Sequence, residues 1–353
     1  MSKMMNYRLK GKRIYVGLED AKRTWKVCVR SEGMEVHLTS MPGRWEVLRA
    51  YLQNQYPECE VTVMYETGFH GFWLHDVLVA AGMGCVVTPA NKVSCPKDDR
   101  VKTDRRDARR LAQNLENGDY KVCHVPDRER REDRQVSRTL DQVQKDIKRT
   151  KNRIRRLLEF HGLDQDLRPG TWVNADYRRL RDLELSAPLR LSLDIHLNQV
   201  DALWEAEDHL KTTLKQLADK PRYRRSVALK TTHPGIGWLS AIRLSLEWGD
   251  FARFPSRKQM SGYTGLTASE YSSGATVRRG RITGQSSPIV RSLLIECAWR
   301  AIRKDPVLLD TFNRVWFHSG SKKKAVVAVA RKLTVRMRAV EMADKPYVIG
   351  LVA

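Results

Sequence analysis

The strongest constraint on the fold of this chain is the order of strand and helix patterns between residues 13 and 88. Apolar and polar residues alternate in several short segments, as expected of half-buried strands, and two other segments carry apolar residues at helical spacing. In chain order, the sequence predicts three strands (residues 13–20, 24–30 and 35–40), a helix (44–55), a strand (60–66), a helix (72–81) and a strand (85–88).

This element order is that of the ribonuclease H fold, so we expect a mixed α/β N-terminal domain over residues 1–125. The remainder of the chain carries helical patterns, and a length of 353 residues leaves room for more than one domain. We therefore expect a helical coiled-coil segment over residues 126–220 and a mainly helical C-terminal domain over residues 221–353.

The middle segment carries a row of apolar residues at alternating spacings of four and three. The row consists of Val136, Leu140, Val143, Ile147, Ile154 and Leu157, with Thr150 at the skipped position. A second apolar row runs from Leu193 to Leu217. An antiparallel helical hairpin and an intermolecular coiled coil both fit the two rows, and the second alternative predicts a homo-dimer or homo-tetramer.

Basic residues strongly outnumber acidic ones, with 64 Lys and Arg against 41 Asp and Glu and a formal net charge of +23. Such an excess indicates a polyanionic partner, which in a cell is nucleic acid. Residues 145–156 alone hold seven basic residues and one acidic residue. A solvated helix face is the ordinary explanation of such a run, whereas the near absence of acids favours a phosphate backbone.

The cysteine and hydropathy patterns exclude several other classes of protein. The six cysteines form no Cys-x-x-Cys pair, so we expect neither a zinc ribbon nor a disulfide framework, and a reducing cytoplasm fits the chain. No segment approaches the run of about 18 apolar residues that a membrane span needs. The basic N-terminus is not followed by the apolar core of a signal peptide. We expect a cytoplasmic protein with no membrane partner.

Two segments of the C-terminal part are candidates for contact with nucleic acid. Residues 234–237 read Pro-Gly-Ile-Gly, which predicts a helix-hairpin-helix-like turn. The backbone N–H groups of Gly235 and Gly237 can face a phosphate in such a turn, and a plain connection between helices is the alternative. Residues 265–284 are rich in Ser, Gly and Arg, and a connector of this length is typical of a functional loop.

Two aspartates three residues apart, Asp104 and Asp107, stand where a helix is predicted to begin, among Lys102, Arg105 and Arg106. Side chains at this spacing share one helix face, and a divalent cation would relieve the repulsion between their carboxylates. The flanking cations would suit a phosphate backbone passing over that ion. Helix capping is the alternative, with Thr103 or Asp104 as N-cap and the acids complementing the helix dipole.

Two further carboxylates complete a candidate metal site. Glu19 lies on the first predicted strand, and Glu66 ends the strand 60–66, directly before Thr67 and Gly68. A ribonuclease H-like site takes one carboxylate from the first strand, one from the end of the central parallel strand and others from a later helix. Four carboxylates so arranged would hold two Mg²⁺ or Mn²⁺ ions about 3.5–4 Å apart, a spacing that clamps a scissile phosphate.

At these residues the chain resembles the DEDD transposases of bacterial insertion sequences, the insertion-sequence one-ten family. The matching segments, in chain order, are residues 15–22, 65–68, 102–109, 234–237, 262–267 and 271–278. The resemblance covers nearly the whole chain and is weakest in the helical middle. One departure is Glu19, which stands where the family usually has aspartate and reaches one methylene further; Asp20 is expected to point to the opposite strand face.

The resemblance implies a RuvC-like nuclease domain, a coiled-coil segment and a C-terminal transposase domain that carries a nucleophilic serine. It implies a Mg²⁺-dependent DNA recombinase, located at the bacterial nucleoid, that excises and inserts its element. A bridge RNA that pairs with the element ends and the target DNA is implied as a second partner. The four acids of the family fall on Glu19, Glu66, Asp104 and Asp107.

The family's serine falls on Ser273, which precedes Gly274, and Ser272 is its rival. A serine nucleophile needs deprotonation and stabilisation of a pentacoordinate phosphate, and the arginines downstream are candidates for the second task. The residues expected to contact nucleic acid are Lys102, Arg105, Arg106, Lys145, Lys148, Arg149, Arg153, Gly235, Gly237, Arg278, Arg279 and Arg281. Two other functions remain open: a RuvC-like junction nuclease that uses water, and a non-catalytic nucleic-acid-binding relic.

Overall fold

The structure, a computed structural model, describes residues 9–68, 70–89, 103–164, 172–274, 276–284 and 287–350. The chain divides into two compact units, Met1–Pro126 and Asp127–Ala353. The first unit is mixed α/β and the second is mainly helical, which confirms the predicted fold classes. The helices of the expected middle segment are counted with the second unit.

The first unit is a five-stranded sheet with helices. Its elements are β1 (Arg13–Asp20), β2 (Thr24–Ser31), β3 (Met34–Pro42), α1 (Trp45–Gln55), β4 (Glu60–Glu66), α2 (Trp73–Ala80), β5 (Gly84–Thr88) and α3 (Asp104–Asn117). The strand order is β3-β2-β1-β4-β5, with β1 antiparallel to β2 and parallel to β4, and β4 parallel to β5. Every element predicted between residues 13 and 88 is present, with its bounds shifted by at most two residues.

Strand β1 is covered on both faces, and this arrangement determines which of its side chains face α3. Val16 and Leu18 are fully buried in a core that includes Leu48 of α1 and Leu74 of α2. On the other face, α3 approaches so closely that a Cβ on Gly17 would lie 2.1 Å from the carbonyl oxygen of Ala108. Because strand side chains alternate between faces, Glu19 projects on the same side as Gly17, toward α3.

The second unit contains two long helices, which are separated by a short one and followed by others. Its elements are α4 (Arg128–Phe160), α5 (Asn174–Asp182), α6 (Ala187–Asp219), α7 (Pro221–Thr231), α8 (Trp238–Trp248), a 3₁₀ turn (Phe251–Arg253), α9 (Arg257–Tyr263), β6 (Ala268–Glu270), β7 (Arg279–Ile282), α10 (Pro288–Ala301), α11 (Pro306–Ser319) and α12 (Lys322–Ala343).

The apolar rows of α4 and α6 pack against each other within the chain. Leu140, near the start of α4, shares a core with Leu214, near the end of α6, whereas Ile154 packs with Leu193 and Leu197 at the opposite end. The two helices are therefore antiparallel, which selects the hairpin from the two alternatives. The heptad-like row is satisfied within one chain and by itself carries no argument for a dimer.

The segment 265–284 contains two short strands that the sequence analysis did not predict. Strands β6 and β7 pair antiparallel, and an isolated bridge joins Ser273 to Thr276 near the tip of this hairpin. Its strands are only three and four residues long, and β7 is fully exposed, so neither shows an apolar alternation.

Helices long enough and apolar enough to cross a membrane are absent from the described part of the chain.

We expect Gly17→Ala to destabilise the first unit by about 1–3 kcal/mol, because the added methyl group overlaps the backbone of α3 and forces the helix away from the sheet. Urea unfolding measures the change. Gly262→Ala is the matched control, since Gly262 lies in a helix with open space around its missing Cβ. Equal stabilities of the Gly17 and Gly262 variants would contradict the close approach of α3 to β1.

Candidate active site

The four predicted acids of the first unit converge on one face of its sheet. Strands β1 and β4 run parallel in a register that places Leu18 opposite Tyr65, so Glu19 and Glu66 are the next residues along neighbouring strands. Helix α3 begins at Asp104, and its N-cap Thr103 accepts a hydrogen bond of 3.3 Å from the backbone N–H of Arg106. The capping alternative is thus correct for Thr103, and it leaves both aspartates in the first turn.

Glu19 is the carboxyl group on which the other charges act. Burial, which is the largest cause, and the negative charges of Glu66, Asp107, Asp20 and Asp104 together raise its pKa from 4.5 to about 7. Within the described residues, its carboxylate has no hydrogen bond or ion pair to offset this repulsion. The negative charges around Glu19 are therefore not fully balanced by cations of the described residues.

An arginine that the sequence analysis missed lies among the acids. Nη2 of Arg110 is 2.7 Å from Oδ1 of Asp107 and 4.0 Å from Oε1 of Glu66. Its spacing of three residues from Asp107 on the same helix was a signal that could have identified the pair. The guanidinium shields Asp107 and Glu66 from each other.

The donor chemistry fits a hard divalent cation, because all four candidate ligands are carboxylates. Their positions are looser than a finished coordination sphere: over the described ranges, no three Asp, Glu, His or Cys side chains are placed to hold one metal ion. The arrangement is a cluster of like charges that a cation would draw together.

Asp20 is turned away from this cluster, as predicted from its position next to Glu19. Its Oδ2 lies 2.8 Å from Nδ1 of His70, whose ring contacts Trp25 and Trp73 edge-on. Burial raises the pKa of Asp20, and the hydrogen bond to His70 acts in the opposite direction. The Asp20–His70 pair fixes the segment that follows β4 against the sheet.

The basic residues around the start of α3 differ in their surroundings. Arg105 and Arg106 are both exposed on the first turn. Arg109 is held by Glu35, with Nε 2.8 Å from a carboxylate oxygen. Lys102, which was predicted to contact nucleic acid, lies outside the described residues.

Ser273 lies exposed near the tip of the β6–β7 hairpin, in the second unit. Its backbone pairs with Thr276 through two hydrogen bonds of 3.1–3.2 Å, and in the described part of the chain its hydroxyl has no partner. The hydroxyl of its rival, Ser272, donates to Glu270 at 3.0 Å and accepts from the backbone N–H of Arg278 at 3.2 Å. Ser272 is thus used by the hairpin itself, whereas the hydroxyl of Ser273 is available.

The three arginines after this tip are all exposed. Nε of Arg279 is 3.4 Å from a carboxylate oxygen of Glu270, across the hairpin. Arg278 and Arg281 make no ion pair with any described residue. An exposed pair such as Arg279–Glu270 contributes at most about 1 kcal/mol, so a phosphate can compete for its arginine.

Some cations in the basic run of α4 have partners within the chain, and others have none among the described residues. Lys151 lies over the rings of Tyr177 and Trp204, at 5.4 and 5.1 Å from their centroids, and burial lowers its pKa. Lys145 and Arg149 pair with acids on their own helix at 2.6 and 2.8 Å.

Of the residues on α4 predicted to contact nucleic acid, two are exposed and make no ion pair with a described residue. They are Lys148 and Arg153.

The two glycines of the Pro-Gly-Ile-Gly turn have different roles. Gly235 has a φ of +84°, and a Cβ there would lie 2.7 Å from the backbone of both Cys297 and Ala301 in α10. Gly237 is the N-cap of α8 and has open space where its Cβ would be. Packing therefore accounts for Gly235, whereas only the environment of Gly237 is open enough for a close approach by a ligand.

Comparison with known proteins follows the same division of the chain. A sequence model of DEDD transposases of the IS110 type matches residues 16–162, which hold all four acids, and a model of the IS116/IS110/IS902 transposase family matches residues 228–313, which hold Ser273. The chain belongs to the IS110/IS116 transposase family.

Curated relatives of this family align with large parts of the chain. The putative transposase y4rJ of Sinorhizobium fredii is 28% identical, with 92% of this chain and 90% of that protein aligned. The putative transposase y4qE of the same organism is also 28% identical, but the alignment spans 67% of this chain and only 57% of that protein. The transposase for the insertion sequence element IS1533 of Leptospira borgpetersenii is 24% identical, over 68% of this chain and 71% of its own length.

We expect the metal-free first unit to lose stability as pH rises from about 5 to about 8. Glu19 keeps its proton in the folded state up to a pKa of about 7, above the ordinary value of 4.5, so folding favours the protonated carboxyl, and this contribution is lost as pH rises through 7. Hydrogen exchange of the β1 amides measures the local stability.

Glu19→Gln should flatten this pH dependence, because the titrating group is gone. Glu46→Gln, an exposed glutamate on α1, is the matched control and should keep the wild-type slope. A Glu19→Gln protein with the same slope as wild type would show that the repulsion lies elsewhere.

Proposed function

We propose that the protein is a DNA transposase of an insertion element that cuts and rejoins DNA strands through a serine nucleophile, with help from a divalent cation. The observation that carries the proposal is the convergence of Glu66, Asp104 and Asp107 on the half-buried Glu19, whose pKa is raised to about 7 by burial and by the neighbouring negative charges. Unbalanced like charge costs stability, so a cluster of this kind indicates a functional site.

A RuvC-like, ribonuclease H-type architecture for the first unit is supported by its sheet. The strand order β3-β2-β1-β4-β5 brings β1 and β4 together in parallel at the centre, with Glu19 and Glu66 near their carboxyl ends. Ligands of mixed and parallel sheets commonly bind at this edge. The turn before α8 is, in our proposal, a helix-hairpin-helix-like contact in which Gly237 faces a DNA phosphate.

We assign Glu19, Glu66, Asp104 and Asp107 as the residues that would hold Mg²⁺ or Mn²⁺. A bound divalent cation would supply positive charge against the charge that develops on the scissile phosphate. Nη2 of Arg110 lies 2.7 Å from Asp107 and 4.0 Å from Glu66, so its positive charge offsets part of their repulsion before a cation enters.

Ser273 is, in our proposal, the nucleophile. Its Oγ forms a bond to phosphorus and the bond from phosphorus to one sugar oxygen breaks. The serine proton passes to a carboxylate of the acidic cluster, which returns it to the leaving sugar oxygen, so the free DNA end carries a hydroxyl group. Arg278 and Arg281 are free of acid partners in the described part of the chain and would stabilise the pentacoordinate phosphate. In our proposal the acidic cluster that serves a given Ser273 comes from another subunit.

DNA and a bridge RNA are the partners that we propose, with a homo-dimer or homo-tetramer as the active form. The formal charge of +23 and the available cations Lys148 and Arg153 on α4 support polyanionic partners. Joining two DNA duplexes requires at least two active sites, and this requirement, not the helical hairpin, is the argument for an oligomer.

We expect Ser273→Ala to abolish a covalent protein–DNA adduct, which denaturing gel electrophoresis detects after incubation with element-end DNA and Mg²⁺. Ser272→Ala is the matched control: it removes the hairpin hydrogen bonds to Glu270 and Arg278 but leaves the nucleophile, so adduct formation should fall by about tenfold at most. Cleavage without an adduct in the Ser273 variant would identify a water-using junction nuclease instead.

Asp107→Asn should abolish strand cleavage and leave DNA affinity within about twofold of wild type, because the side chain serves the cation site and not a phosphate contact. Cleavage and filter binding on the same DNA measure both quantities. Unchanged cleavage in this variant would remove the acidic cluster from the reaction, and no cleavage by the wild type would favour a non-catalytic binding protein.

A joint substitution of Lys148→Gln and Arg153→Gln should reduce the slope of log affinity against log salt by about 2 for duplex DNA, at 0.9 per phosphate contact. Fluorescence anisotropy over a salt series measures the slope. Lys145→Gln with Arg149→Gln is the matched control on the same helix, and the pairing of these two residues with acids predicts a smaller change. Equal slopes for both double variants would contradict the division of this basic run.

A further inference from the structure

An aromatic surface on the second unit has no role in the site described above. Four rings follow one another from α10 to the end of α11: Trp299 and Phe312 have centroids 5.6 Å apart, Phe312 and Trp316 6.0 Å, and Trp316 and Phe317 5.5 Å. Phe317 is 79% exposed and Trp299 is 41% exposed. We call Trp299, Trp316 and Phe317 the aromatic surface. A phenylalanine so exposed gains little from folding, because most of its ring surface remains in water.

Cations adjoin these rings. Nζ of Lys322 lies 4.7 Å from the centroid of the Trp316 ring, and Lys323 and Lys324 follow it at the start of α12. Arg314, two residues before Trp316, is exposed as well. None of these four cations forms an ion pair with a residue that the structure describes.

The three lysines stand at an unfavourable position in their helix. The first turn of α12 contains no acidic residue, although the helix dipole favours negative charge there and disfavours positive charge. Repulsion among Lys322, Lys323 and Lys324 adds to this cost. An external polyanion would offset both effects.

We infer that the aromatic surface and the three lysines bind an unpaired segment of nucleic acid, with bases stacked on Phe317 and Trp316 and phosphates held by Lys322, Lys323 and Lys324. Bases of a duplex have no free faces, whereas unpaired bases stack on aromatic side chains irrespective of sequence. A second copy of this chain is a poor occupant, because its net charge of +23 repels the lysines. The inference rests on the proposed function only in taking nucleic acid as the substrate.

The test measures binding without catalysis, by fluorescence anisotropy of the full-length protein with labelled single-stranded oligonucleotides and no divalent cation. Phe317→Ala should weaken binding by about 5- to 150-fold, the loss of one stacked base. Phe317→Leu should weaken it nearly as much, because leucine keeps the apolar area and lacks the π face. Affinity for blunt duplex DNA should stay within about twofold of wild type.

Two further variants provide the controls. Leu191→Ala removes another apolar side chain that is 63% exposed, on α6, and should leave single-strand binding unchanged. Replacing Lys322, Lys323 and Lys324 by glutamine should lower the salt slope for single strands by about 2, at 0.7 per phosphate contact. Oligonucleotides of identical sequence in DNA and RNA show whether the natural ligand is displaced DNA or guide RNA.

Wild-type affinity in Phe317→Leu, or equal losses on single strands and duplex, would overturn the stacking interpretation. A change in oligomeric state on sedimentation in Phe317→Ala, with single-strand affinity retained, would identify a protein contact and also overturn it. Neither result depends on the covalent adduct of Ser273. Failure of the adduct assay with intact single-strand binding would instead count against the proposed function alone.

Discussion

The contact between Gly17 and α3 is the constraint on which the acidic site depends. A Cβ at this position would lie 2.1 and 2.3 Å from backbone atoms of Ala108 and Ala112, so only glycine permits the helix to lie directly on the sheet. The first turn of the same helix carries Asp104 and Asp107, and Glu19 follows Gly17 by two residues on the same strand face. The absence of one methyl group thus determines whether the carboxylates of strand and helix act on each other.

Much of the first unit could be predicted because its strands and helices carry distinct apolar spacings that are visible in the sequence. The convergence of Glu19, Glu66, Asp104 and Asp107 followed from parallel pairing and helix periodicity. Gly17 and Arg110 were missed for a physical reason. The need for glycine arises from a helix nearly a hundred residues later, and the arginine is identified by its distance to Glu66, a contact between elements that no local pattern encodes.

The second unit was harder to predict. A heptad-like row indicates that one face of a helix packs against another helix, but it does not identify that other helix. The antiparallel packing of α4 on α6 uses that row within the chain. Contacts with α8 bind the hairpin to the C-terminal helices: the buried carboxylate of Glu247 receives Arg138 at 3.0 Å, and Arg243 donates to Ser137 at 3.2 Å. Removing one partner of such a buried pair leaves an uncompensated charge, so these contacts specify the arrangement even where their net stabilisation is small.

Charge counts and charge availability are different quantities in this protein. The basic run of α4 reads as one patch, yet Lys151 and Arg155 contact aromatic rings, and Lys145, Arg149 and Arg156 pair with acids. Lys148 and Arg153 are left for a phosphate in the described part of this run. By the same reasoning the short Lys322–Lys324 cluster is more significant than its size suggests, because no described acid balances it. For a polyanion, the cations that folding leaves without partners are those that bind at no cost of breaking an internal contact. In such a chain, cations without acidic partners therefore indicate the surfaces that bind nucleic acid. Exposed aromatic rings beside those cations indicate where the bound nucleic acid is single-stranded.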